Sequence, residues 1–307
     1  MLDEPIEFIQ RWADSSKDAD HRILVDTGSS GEQVTYAQHL GVDVYEIRVT
    51  PWRFDVARNA ALALVPDCDT VVNLDVDEVL EPGWRDSLEA AGPAPRHSYH
   101  YQWSPDVSFL GDKIHSRYGW VWKHPCHETL YPADSHRSDR VQPTSLAITH
   151  LPDDTKSRES YLPLLALAVK ESPDDDRMAH YYARELFFRG QWDLARREFM
   201  RHLSMPAARW PAERAQSYRY IAKMDDYPEK WLLRAAGEDP SRREVWVDLA
   251  RWAASQHFDE LAAGYAERAM AITQRTGDYM SESDAWDDDA LMAFRAPFWD
   301  HSGMEAT

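Results

Sequence analysis

The sequence predicts an α/β domain on a mostly parallel sheet, followed by an all-α domain of repeated helix pairs. Three observations carry that prediction. Strand and helix signals alternate up to about residue 150, and strand–helix–strand alternation builds a parallel sheet. From about Ser160 onward the strand signals vanish and helices with small-residue contacts take over. Within those helices Ala183-Arg184 and Ala250-Arg251 stand 67 residues apart, close to two periods of a ~34-residue helical repeat. The expected boundaries are 1–151 for the first domain, 152–159 (PDDTKSRE) for a linker and 160–307 for the helical domain.

In HRILVDTGSS, Ile23 to Val25 form a short apolar strand ending at Asp26. Ser29, with Glu32 three residues later, has the spacing of a capping box, and Gly41 stops the helix that follows. VDVYEIRV is the next strand. Asp55 is placed to cap VARNAALALV, whose Val56, Ala60 and Leu64 share a face. TVVNLDVDE is the third strand, and it delivers Asp75, Asp77 and Glu78 to one place. In an extended chain residues i and i+2 point to the same side, so Asp75 and Asp77 are expected to project together, with a cation or proton between them. Ligands of open α/β sheets bind beyond the carboxyl ends of the strands, where Asp26, Asp75 and Asp77 all fall.

In the second half, YYARELFFRGQWDLARREFMRHL has the helix, short turn, helix form of a tetratricopeptide unit. WVDLARWAASQHFDELAAGYAERAMAI repeats it, with SYRYIAKMDDYPEKWLLRAAGEDP as a degenerate middle copy. Such an array needs a neighbour or a cap to bury its ends. The acidic run Asp287 to Asp289 suits a helix N-terminus, where the helix dipole favours negative charge.

The 307 residues, 43% of them apolar, suffice to fill cores of this size. Fifty-three acidic against 34 basic residues give a net charge of −19, which disfavours, without excluding, nucleic acid as a partner. The longest apolar run, Leu162 to Val169, contains Pro163 and is too short to span a bilayer. An acidic N-terminus without an apolar signal core, and only two cysteines, Cys68 and Cys126, lead us to expect the cytoplasm. A calcium loop does not fit, because Val79 and Leu80 stand where it needs an oxygen ligand and a glycine. HETLY at 127–131 starts like a zinc-protease helix, but Tyr131 replaces the second histidine.

Five blocks in order, ILVDTGSSG, VYEIRVTPWRFDVARNAAL, VVNLDVDEVLEPGW, YGWVWKHPCHETL and AITHLPD with the helical segment after it, resemble one family. It is the family 2-like glycosyltransferases of GT-A fold, mostly parallel and Rossmann-like, that carry C-terminal tetratricopeptide repeats. The resemblance covers residues 22 to about 200. It implies that the Asp-x-Asp element holds Mn²⁺ or Mg²⁺ on the diphosphate of a nucleotide sugar, since such hard cations take oxygen ligands. It also implies attack by an acceptor hydroxyl on an oxocarbenium-like anomeric carbon, aided by a carboxylate base. By resemblance Asp77 ligates the metal, Asp75 approaches the metal or the ribose, Asp26 the nucleobase or ribose, and Arg58 the nucleotide end of the cleft. His127-Glu128 matches the family's His-Glu element, with Glu128 the expected base. His150 is expected to close the metal shell, and Trp120 with Trp122 to wall the sugar ring. Each has a plainer alternative: a salt-bridged carboxylate for Glu128, a backbone hydrogen bond for His150, helix bracing for Arg58 and Asn59, and core packing for Trp120.

Relatives open with an extra strand, beside the Asp-x-Asp strand, whereas only LDEP precedes the matching helix IEFIQRWADS here. The expectation is a vacancy in the sheet that an upstream segment, YHYQWSPDVSF turned inward, or a partner subunit fills. The expected activity is metal-dependent transfer, with inversion, of a hexosyl or N-acetylhexosaminyl group from a UDP-sugar to a hydroxyl on a protein, a glycan or another molecule. The helical domain is expected to place the acceptor or to join copies into a homo-oligomer. The rival reading is a tetratricopeptide interaction protein whose transferase half has decayed.

Overall fold

Residues 3–105, 107–134, 140–153 and 161–294 are described by a computed structural model of the chain. The chain divides into two units, Met1–Ser160 and Tyr161–Thr307. Of the expected linker, residues 154–159 lie outside the described ones. Among the described residues no helix is long and apolar enough to cross a membrane.

The first unit begins as expected. Helix α1 (Ile6–Ser15) precedes β1 (Ile23–Asp26), α2 (Gly31–His39), β2 (Asp43–Glu46) and α3 (Phe54–Leu64), and β1 and β2 pair in parallel. Ile9, Trp12 and Ala13 of α1 pack on Leu24, Ala37, Val42 and Val76, so the apolar stripe of one helix covers the face of this two-stranded sheet. The capping box does not form. Ser30 holds the N-cap position of α2, while the Ser29 hydroxyl and amide donate to Asp26.

From there the expectation of a mostly parallel sheet fails. Strands β3 (Thr70–Val72), β4 (Glu78–Leu80), β5 (Arg96–Ser104), β6 (Val107–Ser116) and β9 (Val141–His150) form one mixed sheet in the order β3-β6-β5-β9-β4, with α4 (Trp84–Ala91) between β4 and β5 in sequence. Only β5 and β9 pair in parallel within it. The reason lies in the connections. β5 ends at Ser104 and β6 begins at Val107, a link that serves an antiparallel hairpin, whereas a parallel crossover needs a dozen residues or more. Strands β7 (Trp120–Lys123) and β8 (Thr129–Pro132) make a separate antiparallel pair. Tyr99 and Tyr101 point inward on alternate positions of β5. Tyr99 lies opposite Gly111, where a Cβ would come within 2.4 Å of its ring.

YHYQWSPDVSF does not fill the expected vacancy. Its residues 99–104 belong to β5 and 107–109 to β6. Among the described strands, β1 and β3 each have one edge without a strand partner. Trp12 of α1 donates its indole N–H to the Leu74 carbonyl at 3.3 Å, just past the end of β3.

The second unit opens with α5 (Tyr161–Glu171) and continues as three antiparallel pairs: α6 (Asp176–Phe188) with α7 (Trp192–Ser204), α8 (Pro211–Lys223) with α9 (Glu229–Glu238), and α10 (Arg243–Ser255) with α11 (Asp259–Met270). The pairs start at residues 176, 211 and 243, close to the period expected from the Ala-Arg spacing. Ala183, Ala195, Ala215, Ala235, Ala250 and Ala266 are fully buried, and such small residues let the helices approach closely. Asp287 caps the short helix α12 (Asp288–Met292) by accepting the Ala290 amide at 3.0 Å, as the acidic run suggested.

Candidate active site

The Asp-x-Asp element does not lie on a strand. β3 ends at Val72, and the chain then turns, closing Glu78 N–H onto the Asp75 carbonyl at 2.9 Å. The Glu78 carboxylate reaches back to accept the Asp75 amide at 2.8 Å and the Tyr101 hydroxyl at 2.6 Å. The period-two argument therefore does not apply, and Asp75 and Asp77 find different partners.

Asp75 faces cations. Both of its oxygens accept from Arg58 Nη2 of α3, at 2.9 and 3.0 Å, and Lys113 Nζ of β6 lies 3.2 Å from Oδ2. Arg58 also bonds Glu128 through Nε, and Lys113 lies 3.7 Å from Glu78. Two cations thus join three carboxylates delivered by a turn, a strand start and the β7–β8 connection. Burial resists the charge on Asp75, but Arg58 and then Lys113 outweigh it and hold the carboxyl well below its usual range. Its side chain keeps 36% exposure, so solvent screens part of that pull. Burial, followed by the charge of Asp75, pushes the Glu78 carboxyl up against the pull of Lys113.

Asp77 faces His150. Residue 150 ends β9 opposite Glu78 in the β4–β9 ladder, and Leu151 N–H donates to the Asp77 carbonyl at 2.7 Å. This pairing brings His150 Nε2 to 3.5 Å from Asp77 Oδ2. The ring stacks on Trp103 at 4.3 Å between centroids, and Nδ1 donates to the Trp103 carbonyl at 3.2 Å. An N–H fixed at Nδ1 leaves the lone pair on Nε2, the nitrogen that faces Asp77. Burial works against protonation of this imidazole, yet Asp77 and the Trp103 carbonyl raise its basicity above the ordinary value.

A divalent cation fits part of the expected ligand set. Asp77 and His150 offer a carboxylate oxygen and an imidazole lone pair side by side. Asp75 does not fit as a direct ligand, because both of its oxygens are taken up by Arg58 and Lys113. Among the described residues, Asp75, Asp77 and His150 do not form a group of three converging ligands.

The remaining expected residues separate. Glu128 is brought to the cluster through Arg58, next to His127, whose φ of 51° turns the chain between β7 and β8. Asp26 is 1% exposed and accepts the Gly28 and Ser29 amides as well as the Ser29 hydroxyl. Its carboxylate closes the turn after β1, which suits a structural role better than contact with a nucleobase. Trp120 is 6% exposed and packs with Leu62, Val71, Trp122 and Leu130. That placement suits the core rather than a wall for a sugar ring. Asn59 braces as expected, pairing with both backbone groups of Trp122 at 2.8 and 2.9 Å. Lys113, Tyr101 and Trp103 escaped the sequence reading. They sit on β5 and β6, whose only signal was the alternation in Tyr-His-Tyr-Gln-Trp.

No family model and no curated protein matches the chain. Among solved structures it is similar to two crystal structures of MamA, at 12% and 13% identity. Each match covers 44% of this chain and 77% or 81% of the other, with a TM-score of 0.32. The functional reading therefore rests on the chain's own residues.

Proposed function

We propose that the sheet unit is a metal-dependent glycosyltransferase, moving a sugar with inversion from a UDP-sugar to an acceptor hydroxyl on a protein, a glycan or another molecule. The observation that carries this reading is the Asp77–His150 pair, which presents an oxygen and a nitrogen 3.5 Å apart at the junction of β4 and β9. Asp77 and His150 would hold Mn²⁺ or Mg²⁺. Such an ion, when bound, stabilises negative charge on a departing diphosphate. Lys113 and Arg58 hold positive charge on Asp75, two residues before Asp77. Glu128 is oriented by Arg58 through Oε1, which leaves Oε2 to take the acceptor proton. The helical unit, read as a tetratricopeptide-like array, would place the acceptor or join two copies.

The test is Mn²⁺-dependent release of UDP from a panel of UDP-sugars. Glu128→Gln is expected to lower turnover by ~10²–10⁴-fold while keeping donor affinity, because its role arises only in the transition state. Failure of the wild-type chain to hydrolyse or bind any donor would remove the enzyme reading.

A second reading has its own support. Phe188, Trp192, Tyr227 and Phe258 are 59%, 61%, 74% and 51% exposed, and all lie at the turns within the three helix pairs. Exposed aromatics in a recurring position favour a protein-interaction role for this unit. Under that reading alone the sheet unit would be a decayed transferase, with no metal-dependent nucleotide binding.

A further inference from the structure

The geometry points to a divalent transition-metal site in the helical unit, of the class that binds Zn²⁺, formed by Asp176, His202 and Glu213. These residues come from the first turn of α6, the last turn of α7 and the first turn of α8. Their ligand atoms all lie within 4.8 Å of one another, and among the described residues no other group of three His, Cys, Asp or Glu side chains converges in this way.

The histidine supplies an independent observation. His202 is fully buried, and its Nε2 has no hydrogen-bond partner. Nε2 stands 3.6 Å from Glu213 Oε2. An N–H···O hydrogen bond closes to about 2.7–3.2 Å, whereas two ligands ~2.0–2.1 Å from one tetrahedral zinc sit roughly 3.3 Å apart. The gap therefore suits an ion better than a shared proton.

The surroundings orient both groups for that purpose. His202 Nδ1 is 3.0 Å from Ser217 Oγ, which in turn lies 2.9 Å from His180 Nδ1. When Nδ1–H of His202 donates to Ser217, the hydroxyl proton is free for His180, and the His202 lone pair is fixed on Nε2. Glu213 Oε1 accepts the Tyr279 hydroxyl at 2.7 Å, which directs Oε2 toward the histidine. Two carboxylates and one neutral imidazole balance a doubly charged ion. One nitrogen and two oxygens suit Zn²⁺, with Co²⁺ as its spectroscopic substitute. Asp176 is half-exposed and gives the ion its route in. An ion here would staple three successive helices.

The site is distinct from Asp77 and His150, so it is tested in the full chain carrying Asp77→Ala. After chelator treatment and dialysis against Zn²⁺ alone, one equivalent is expected to remain bound, and Co²⁺ is expected to give d–d absorption bands of an N/O site. Asp176→Asn changes a half-exposed position and keeps the fold, while His202→Gln changes the buried one. Both are expected to reduce bound metal to background and to abolish the rise in Tm that Zn²⁺ produces. Absence of a bound equivalent in the Asp77→Ala chain overturns the proposal. So does retention of the equivalent in either folded variant.

Discussion

The sheet unit and the helical unit both bury arginine among carboxylates, yet they close these networks differently. In the helical unit Arg219, 1% exposed, bonds Asp248 at 2.6 Å, Glu282 at 2.8 Å and Gln216 at 2.7 Å. Every arm of the guanidinium has a partner, and the partners lie on nearby helices or the chain just after them. In the sheet unit Arg58 and Lys113 close Asp75, Glu78 and Glu128 in the same manner. Beside that cluster, however, stand Asp77 and His150, facing each other at 3.5 Å, longer than a good hydrogen bond. The lesson is that the number of acidic residues does not mark a site. The proposal rests instead on the 3.5 Å spacing of Asp77 and His150 beside a cluster that is closed.

Breaking the closed cluster should have the largest effect on stability. Arg58→Met leaves Asp75 and Glu128 without their shared cation; loss of one partner costs ~3–5 kcal/mol in a fully buried pair, and screening at the 36% exposed Asp75 brings the expected cost to ~2–4 kcal/mol. Urea denaturation should show that loss. A cost below ~1 kcal/mol would mean that the cluster is open to solvent and comparable to surface ion pairs.

The helical network should respond less, and with a definite dependence on pH. Burial resists the charge on Glu282, but Arg219 overcomes it and lowers the carboxyl from 4.5 to about 2. The stabilisation is therefore fully present above about pH 4.5 and is lost as pH falls toward 2. Glu282→Gln should cost ~1.5–3 kcal/mol at neutral pH, the range for a hydrogen bond to a charged group. It should also flatten the acid limb of the stability profile. An unchanged limb would show that Glu282 is as exposed in the folded chain as in the unfolded one.

Packing at the β5–β6 pair tests the mixed sheet itself. Gly111→Ala places a Cβ 2.4 Å from the Tyr99 ring, and overpacking of this kind costs ~1–3 kcal/mol. A neutral substitution would indicate that the two strands are not in the register Tyr99 to Gly111.

What was legible in the sequence follows from range. The helix pairs were visible because Ala-Arg recurs within contiguous helical segments, and β1, α2, β2 and α3 because each is a local pattern. His150 was legible as the residue that ends an apolar strand, Leu146 to Thr149. The turn at 75–78 was hidden, because Val76 and Val79 favour an extended chain and no glycine or proline marks the bend. It is set by distant groups: Tyr101 and Lys113 hold the Glu78 carboxylate that caps it. The antiparallel half of the sheet was missed for a similar reason. Its hairpin link carries no helix between the strands, and a reading extrapolated from the first three strands continued the parallel pattern. Trp120 illustrates the limit for single residues, since an aromatic at a strand start serves a core and a binding wall equally well in sequence.

The smallest structural change carries the largest functional expectation. Asp77→Ala removes a side chain at a turn and should cost under ~1 kcal/mol in stability, as surface positions do. The central claim is that Asp77 and His150 form a metal position serving a nucleotide. The most direct measurement is calorimetric titration of UDP into the wild-type and Asp77→Ala chains, each with and without Mn²⁺. The account predicts binding that requires Mn²⁺ in the wild type and disappears in a folded Asp77→Ala chain. Equal UDP binding in both chains, or Mn²⁺-independent binding in the wild type, would contradict it.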